Sequence, residues 1–208
     1  MPSISYAITA CNEHVELKRL LEQLIEHIRP IDEIVVQLDN KYTSEVWEVA
    51  QSYNVGSDFE YHRIVYGLDK DFASFKNNLK QHCTKSYIFF IDADEYLSDD
   101  LIENINEILA INENLVDVIS VPRINTVSGL TREHIDRWKW FVDDRGYVNY
   151  PDYQTRICAN KPEIKWINKV HERLSGWKTG AHLPEGYDLV HPKSIDRQEK
   201  QNNFYGTL

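Results

Sequence analysis

An α/β fold, with a mostly parallel sheet flanked by helices, is what this sequence predicts, and three observations carry the prediction. Strand-length and helix-length segments alternate over residues 4–121, the order that builds a parallel sheet through crossover helices. The strand-length runs at 33–38 and 88–91 are rich in large aliphatic and aromatic residues, as strands covered on both faces are. Both runs stop at an acidic residue, Asp39 and Asp92, which puts carboxylates at strand C-termini, where open α/β sheets bind ligands.

Taken in order, residues 4–9 read as a strand, and Ala10, Cys11 and Asn12 turn directly into a helix over 13–28 with Asn12 as its N-cap. Leu17, Leu20, Leu21, Leu24, Ile25 and Ile28 give that helix one apolar face, and Arg29-Pro30 ends it. A strand at 33–38, a helix at 44–53 and a weaker strand at 61–66, interrupted by His62 and Arg63, follow. The spacing of Phe72, Phe75, Leu79 and Cys83 predicts a helix over 71–83, just before the strand that ends in Asp92. Ser98, with Asp99 and Asp100, caps and charges the start of a helix reaching about Ala110. A strand at 116–121 closes the regular part. Beyond Arg123 the periodicity fades. The stretch 130–153, with Trp138, Trp140, Phe141, Tyr147, Tyr150 and Tyr153 among charged residues, is expected to be a loop-rich lobe, either lining a pocket or forming a small satellite core. Short strands at 154–158, 164–167 and 189–191 and a final helix or tail complete the chain.

The 208 residues suffice for one α/β domain, and no Pro/Gly/Ser-rich linker divides them. A formal net charge of −10 argues against nucleic acid as a partner held by phosphate neutralisation. Cys11, Cys83 and Cys158 are scattered, odd in number and without a C-x-x-C pair, so neither a disulfide framework nor a zinc site is expected. The first residues lack a basic n-region, and nowhere do about 18 apolar residues run together. The expectation is a soluble, cytoplasmic chain without a transmembrane segment, with a membrane-peripheral or virus-encoded setting left open.

The stretch YIFFIDADEY at 87–96 carries the chemistry. Asp92 and Asp94, separated by Ala93, would raise each other's pKa at a strand end unless a cation lies beside them. An oxygen-rich site of this kind suits Mg²⁺ or Mn²⁺. An acidic helix start without a metal is the plainer reading of the same residues.

Several ordered segments resemble the family-2 glycosyltransferases of GT-A fold. SYAITACNE resembles that family's opening strand with its Asn-Glu pair, and EIVVQLD its second, nucleotide-facing strand. DFASFKNNLKQHCTKSYIFFIDADE, the most specific match, resembles a subgroup with an Arg-Asn helix start before a strand ending in D-x-D-E. DYQTRI, KVHERL and LVHP resemble the same subgroup's D-x-Q-x-R, V-H-E and C-terminal histidine elements.

The resemblance implies a single domain over 1–208, with a nucleotide-sugar-binding half at 1–121 and an acceptor-side half at 122–208. It implies a metal-dependent, inverting transfer of one sugar from a UDP- or other nucleoside-diphosphate-sugar to a hydroxyl of a glycan or lipid-linked acceptor, in polysaccharide biosynthesis. Asp94 would bind Mn²⁺ or Mg²⁺, with His191 or, second, His171 as distal ligand. Asp92 would hold the ribose or metal-bound water. Asp39 would read the base, Thr9, Ala10 and Asn12 would line the nucleotide pocket, and Ala93 lies between the two rim carboxylates. Lys76, with Asn77 beside it, stands at the family's usual Arg position and offers phosphate a charge without a bidentate fork. Glu172 and Asp152 are the candidate bases. Arg156 binds phosphate or an acidic acceptor, or pairs internally with Asp152 or Glu172.

The sequence departs from the family where Asn40, Lys41 and Tyr42 replace an acidic Gly-Ser turn after Asp39, and where Lys85-Ser86 replaces a Thr-Gly turn. A sugar nucleotidyltransferase is the alternative enzyme, disfavoured because residues 10–14 contain no Gly or Lys for a phosphate loop. A catalytically inactive carbohydrate-binding protein of the same fold is the non-enzymatic alternative.

Overall fold

A computed structural model describes residues 1–53 and 58–205, so the last three residues of the expected terminal helix or tail lie outside the described part. The regular half runs β1 (Ile4–Ala10), α1 (His14–His27), β2 (Glu33–Leu38), α2 (Ser44–Ser52), β3 (Glu60–Val65), α3 (Phe72–Gln81), β4 (Tyr87–Asp92), β5 (Tyr96–Leu97), α4 (Asp99–Asn112) and β6 (Val118–Val121). The second half adds β7 (Arg123–Ser128), α5 (Arg132–Trp138), β8 (Gln154–Ala159), β9 (Lys165–Ile167), β10 (Arg173–Ser175), β11 (Gly180–His182), β12 (Leu189–Ser194) and α6 (Ile195–Tyr205).

A seven-stranded sheet in the order β11-β6-β8-β4-β1-β2-β3 forms the spine. Its pairs are parallel except where β8 inserts antiparallel between β4 and β6. β1, β2 and β4 are buried almost throughout, which explains their near-continuous apolar sequences. Leu17, Leu20, Leu21 and Leu24 of α1 are buried with them in the main core, each contributing about 1.5–3 kcal/mol. A smaller sheet, β5-β12-β7, lies beyond the tip of β4. It matters because β12 and β7 carry side chains back towards Asp92 and Asp94.

Two local readings change. Asn12 does not cap α1: the cap position is Glu13, whose carboxylate instead accepts from the backbone N–H of Cys11 at 2.7 Å and of Asn12 at 2.9 Å. Glu13 thus orders the turn before the helix, and the first turn of α1 has no side-chain cap. The stretch 130–153 is less loop-like than expected, because α5 lies within it, with the His134 ring accepting from the Thr131 N–H at 3.2 Å. No residue of α5 is buried, so it lacks the apolar periodicity by which a helix shows in sequence. Ser98 does cap α4, accepting from Leu101 N–H at 3.3 Å, and all three cysteines are free. No helix among the described residues is long and apolar enough to cross a membrane.

Candidate active site

The C-terminal ends of β1, β2 and β4 open into a cavity of about 790 Å³, within the range of small-molecule sites. Thr9, Ala10, Asp39, Lys76, Asp92, Ala93, Asp94, Asp152, Arg156, His171, Glu172 and His191 all line it. Residues far apart in sequence thus converge because β12 and the segment around β9 and β10 return to the rim where β4 ends. Asn12 and Asn77 do not line it. Asn77 is turned away because its amide brackets Trp166, donating to the carbonyl at 2.8 Å and accepting from the N–H at 2.9 Å. That clamp docks β9 on α3.

One end of the cavity is built around Asp39. Its Oδ1 accepts from Leu68 N–H at 3.1 Å, and Thr9, Ala10, Cys11, Leu68, Phe72 and Phe75 surround the space beside it. Gly67 precedes Leu68, and a Cβ there would stand 2.7 Å from the Asn40 amide nitrogen, so a larger residue would push the Asn40 side chain aside. Burial first, then the neighbouring Asp39 and Glu13 charges, push the Cys11 thiol up to about 11, so it is an unreactive wall residue.

Asp92 is gripped from three sides. Thr9 Oγ1 donates to it at 2.9 Å, Arg156 Nη2 at 2.7 Å, and Lys76 Nζ lies at 3.5 Å. Burial opposes its ionisation, yet Arg156 and then Lys76 outweigh it and hold the carboxyl well below the usual range. Arg156 is itself held between Asp92 and Glu95, donating to Glu95 Oε1 at 2.8 Å. Glu95 has no solvent exposure, and it also accepts from Arg123 Nη1 at 3.0 Å. Arg123 continues to Asp152 through Nε at 3.0 Å and Nη2 at 2.6 Å. The expected pairing of Arg156 with Asp152 or Glu172 is therefore corrected: its Nη2 bonds Asp92 and Glu95 and so positions Asp92, while its buried Nε has no partner among the described residues. Removing one member of such a buried chain would leave a charge uncompensated.

The two candidate bases differ sharply. Asp152 accepts from Arg123, from Asn125 at 2.9 Å and, through its other oxygen, from Gln154 at 2.8 Å. Burial raises its pKa, but Arg123, Asn125 and Gln154 bring it below the ordinary value. Glu172 meets Lys76 Nζ at 2.7 Å through Oε1 and lines the open cavity. Lys76 also lies 4.8 Å from the centre of the Trp166 ring, a cation–π position.

His191 approaches Asp94: Nε2 is 3.3 Å from Asp94 Oδ2. Burial alone would raise the Asp94 carboxyl, but the contact and charge of His191 bring it down to about 2. The other ring nitrogen is fixed by a relay. Asn125 Nδ2 donates to Asp152, which turns Asn125 Oδ1 towards His191 Nδ1 at 2.9 Å. An amide oxygen only accepts, so Nδ1 carries the proton and Nε2 faces the Asp94 carboxylate. Two acceptors confronting each other at that distance require a second proton or a shared cation between them. A carboxylate and an imidazole oriented from behind by a hydrogen bond form the donor pair that divalent metals use, so these residues fit Mn²⁺ or Mg²⁺. His171 lines the same cavity with a left-handed backbone, φ 54°.

Several residues at the site escaped the sequence reading. Arg123 and Asn125 sit on β7, where fading periodicity gave no signal. Lys193 follows His191 by two positions on β12, so both project from the same face, and it donates to Gln201 on α6 at 2.6 Å. Arg197 on α6 pairs with Glu13 at 3.1 Å and Glu16 at 2.7 Å, and its guanidinium lies 3.9 Å from Asp94. No internal spacing in the polar C-terminal segment places either cation.

Comparison with known proteins gives a family and a fold. The sequence profile described as glycosyl transferase family 2 matches residues 5–164. Crystal structures of Staphylococcus aureus TarS 1–349 share the fold. The complex with UDP-GlcNAc has a TM-score of 0.64 at 12% identity, over 93% of this chain and 59% of that one. The complex with UDP gives 0.62 at 12% identity, over 92% and 60%. This chain therefore spans about 60% of the length of those TarS chains. Comparison with curated proteins gives no match.

Proposed function

The chain belongs to glycosyl transferase family 2, and from that premise we propose that it moves one sugar from a nucleoside-diphosphate-sugar to a hydroxyl of a glycan or lipid-linked acceptor, with inversion. The observation that carries this reading is the pairing of Asp94 with His191 on the rim where Asp92 and Asp39 also end. The TarS neighbours were crystallised with UDP-GlcNAc and UDP, which supports a uridine nucleotide as the first donor to try. The whole of 1–208 would serve as one domain, the first 121 residues holding the donor and the remainder the acceptor side.

In this reading Asp39 accepts a hydrogen bond from the base, which lies between Cys11, Leu68 and Phe75. Asp92, fixed by Thr9 and Arg156, accepts from hydroxyls of the ribose or sugar. Lys76 supplies charge to phosphate or sugar oxygen. Asp94 and His191 would hold Mn²⁺ or Mg²⁺, with His171 in reserve, and the ion when bound supplies positive charge against the leaving diphosphate.

Glu172 is the better base. Its pair with Lys76 engages one oxygen of a residue that lines the cavity, whereas Asp152 is occupied on both. The acceptor oxygen forms its bond to the anomeric carbon as the bond to the diphosphate oxygen breaks, and Glu172 takes the hydroxyl proton. Asp152 acts instead through Asn125 on His191. Calorimetric titration of UDP with and without Mn²⁺, on wild type and Asp94→Ala, tests the assignment. Mn²⁺-dependent binding lost in the variant supports it, and metal-independent or absent binding of every nucleoside diphosphate refutes it.

A further inference from the structure

Beside the main cavity lies a second one of about 570 Å³, bordered by Arg132, Ile135, Asp136, Lys139, Trp140 and Phe141. Trp140 lines both, so the two spaces meet at this residue. We propose that this groove is a carbohydrate subsite: it holds the sugar unit next to the reacting one, and the acceptor is therefore an oligosaccharide or longer glycan. The proposal rests on the glycosyltransferase reading above and names its substrate class.

Three features of the groove carry it. The first is rigidity. Trp140 N–H bonds to Ile135 O at 3.1 Å across a left-handed Lys139, and Trp138 stands 4.6 Å from Trp140 and 5.2 Å from His134, ring centre to ring centre. Phe141 is held on both sides by Asn149, which accepts from its N–H at 2.9 Å and donates its own backbone N–H to the Phe141 carbonyl at 2.8 Å. A preformed aromatic platform loses little entropy on binding.

The second is chemistry. Phe141 is 66% exposed, an aromatic face presented to solvent by a fixed backbone. Beside it Arg132 and Asp136 form an exposed ion pair at 3.0 Å, with Lys139 alongside. A sugar ring presents an apolar C–H face and a rim of hydroxyls. An aromatic floor edged by exposed polar side chains matches both, and such surface ion pairs cost little to rearrange. The third is continuity. Phe141 and Trp140 are consecutive, so a chain of sugars crossing the Trp140 edge passes from the groove into the cavity that holds Glu172. A shallow concavity with a charged rim suits a glycan better than a protein partner, whose interface core is depleted in charge.

The test uses the full chain and a panel of free neutral and acidic oligosaccharides beside their monosaccharide units, read by quenching of tryptophan fluorescence in the presence of UDP and Mn²⁺. At least one oligosaccharide should bind about tenfold or more tightly than its monosaccharide, and Phe141→Ala, an exposed change that spares the core, should erase that advantage while UDP binding persists. Ile135→Asp should do the same. The proposal is overturned by equal affinity for short and long sugars, by indifference to both substitutions, or by a dimer that Phe141→Ala converts to monomer in sedimentation. Absent binding of every nucleoside diphosphate by the wild type would instead overturn the glycosyltransferase reading, so the two failures are separable.

Discussion

Both ends of the central sheet carry buried acids, and they use them differently. At the N-terminal ends of the strands, Asp32 accepts from Ile4 N–H at 2.8 Å and holds Arg29, while Glu33 takes Ser5 and both donors of Thr84. Asp117 clamps Lys178 and Thr179 N–H and pairs with Lys161. Apart from Arg29 and Lys161, these partners are backbone amides and short hydroxyls that move only with the chain. At the opposite ends, Asp92 and Asp94 face Arg156, Lys76, His191 and Arg197, long or rotatable side chains. An acid spent on backbone fastens strands together. An acid balanced by side chains can exchange its partner for a ligand.

The contrast also disposes of a misleading cluster. Glu33, Glu60 and His62 lie close enough to hold an ion. Glu33 already has three donors and Glu60 already has Lys85 at 2.9 Å, so an ion would have to displace them.

The largest effect should come from the fastening end. Asp32→Ala leaves the Ile4 amide unpaired and strips Arg29 of its carboxylate, with the Pro2 carbonyl still accepting from it at 2.8 Å, and should lower stability by about 3–5 kcal/mol in urea unfolding, with UDP affinity of the folded protein unchanged. Next comes the exchangeable end: Asp94→Asn should reduce turnover by about 10²–10³ and abolish Mn²⁺ binding, while Glu60→Gln leaves Mn²⁺ binding intact. A stability loss for Asp94→Asn as large as that of Asp32→Ala would break the distinction. Asn125→Leu frees the His191 ring and should weaken Mn²⁺ binding by about 10–100-fold, measured by electron paramagnetic resonance. The smallest effect concerns pH. The Lys161 bond and the backbone amides hold the Asp117 carboxyl down at about 2, so its contribution is complete above its unfolded value and fades as pH falls towards 2. Asp117→Asn should flatten that acid-side decline in a series of urea melts.

The sheet was legible because β1, β2 and β4 are buried on both faces and write that burial into their sequences. The rim carboxylates were legible too, since Asp39 and Asp92 end such strands. What surrounds them was not. Arg156, Glu95 and Arg123 are joined by side-chain contacts between distant segments, and nothing local in the sequence records which cation meets which acid. Asn77 shows the reverse error: a motif neighbour of Lys76 pointed the other way, into Trp166. Helix α5, none of whose residues is buried, had no core face to announce it.

Arg197 bears on whether an ion can enter. It is anchored to Glu13 and Glu16 on α1 and already presents a positive charge 3.9 Å from Asp94. A monovalent ion reaching that carboxylate would bring no more charge than the arginine does, and would give up hydration to do so. A divalent ion doubles the attraction to Asp94 and the repulsion from Arg197 alike. The tethered arginine therefore opposes any cation at that carboxylate, and Arg197→Gln should strengthen Mn²⁺ binding in titrations run beside wild type.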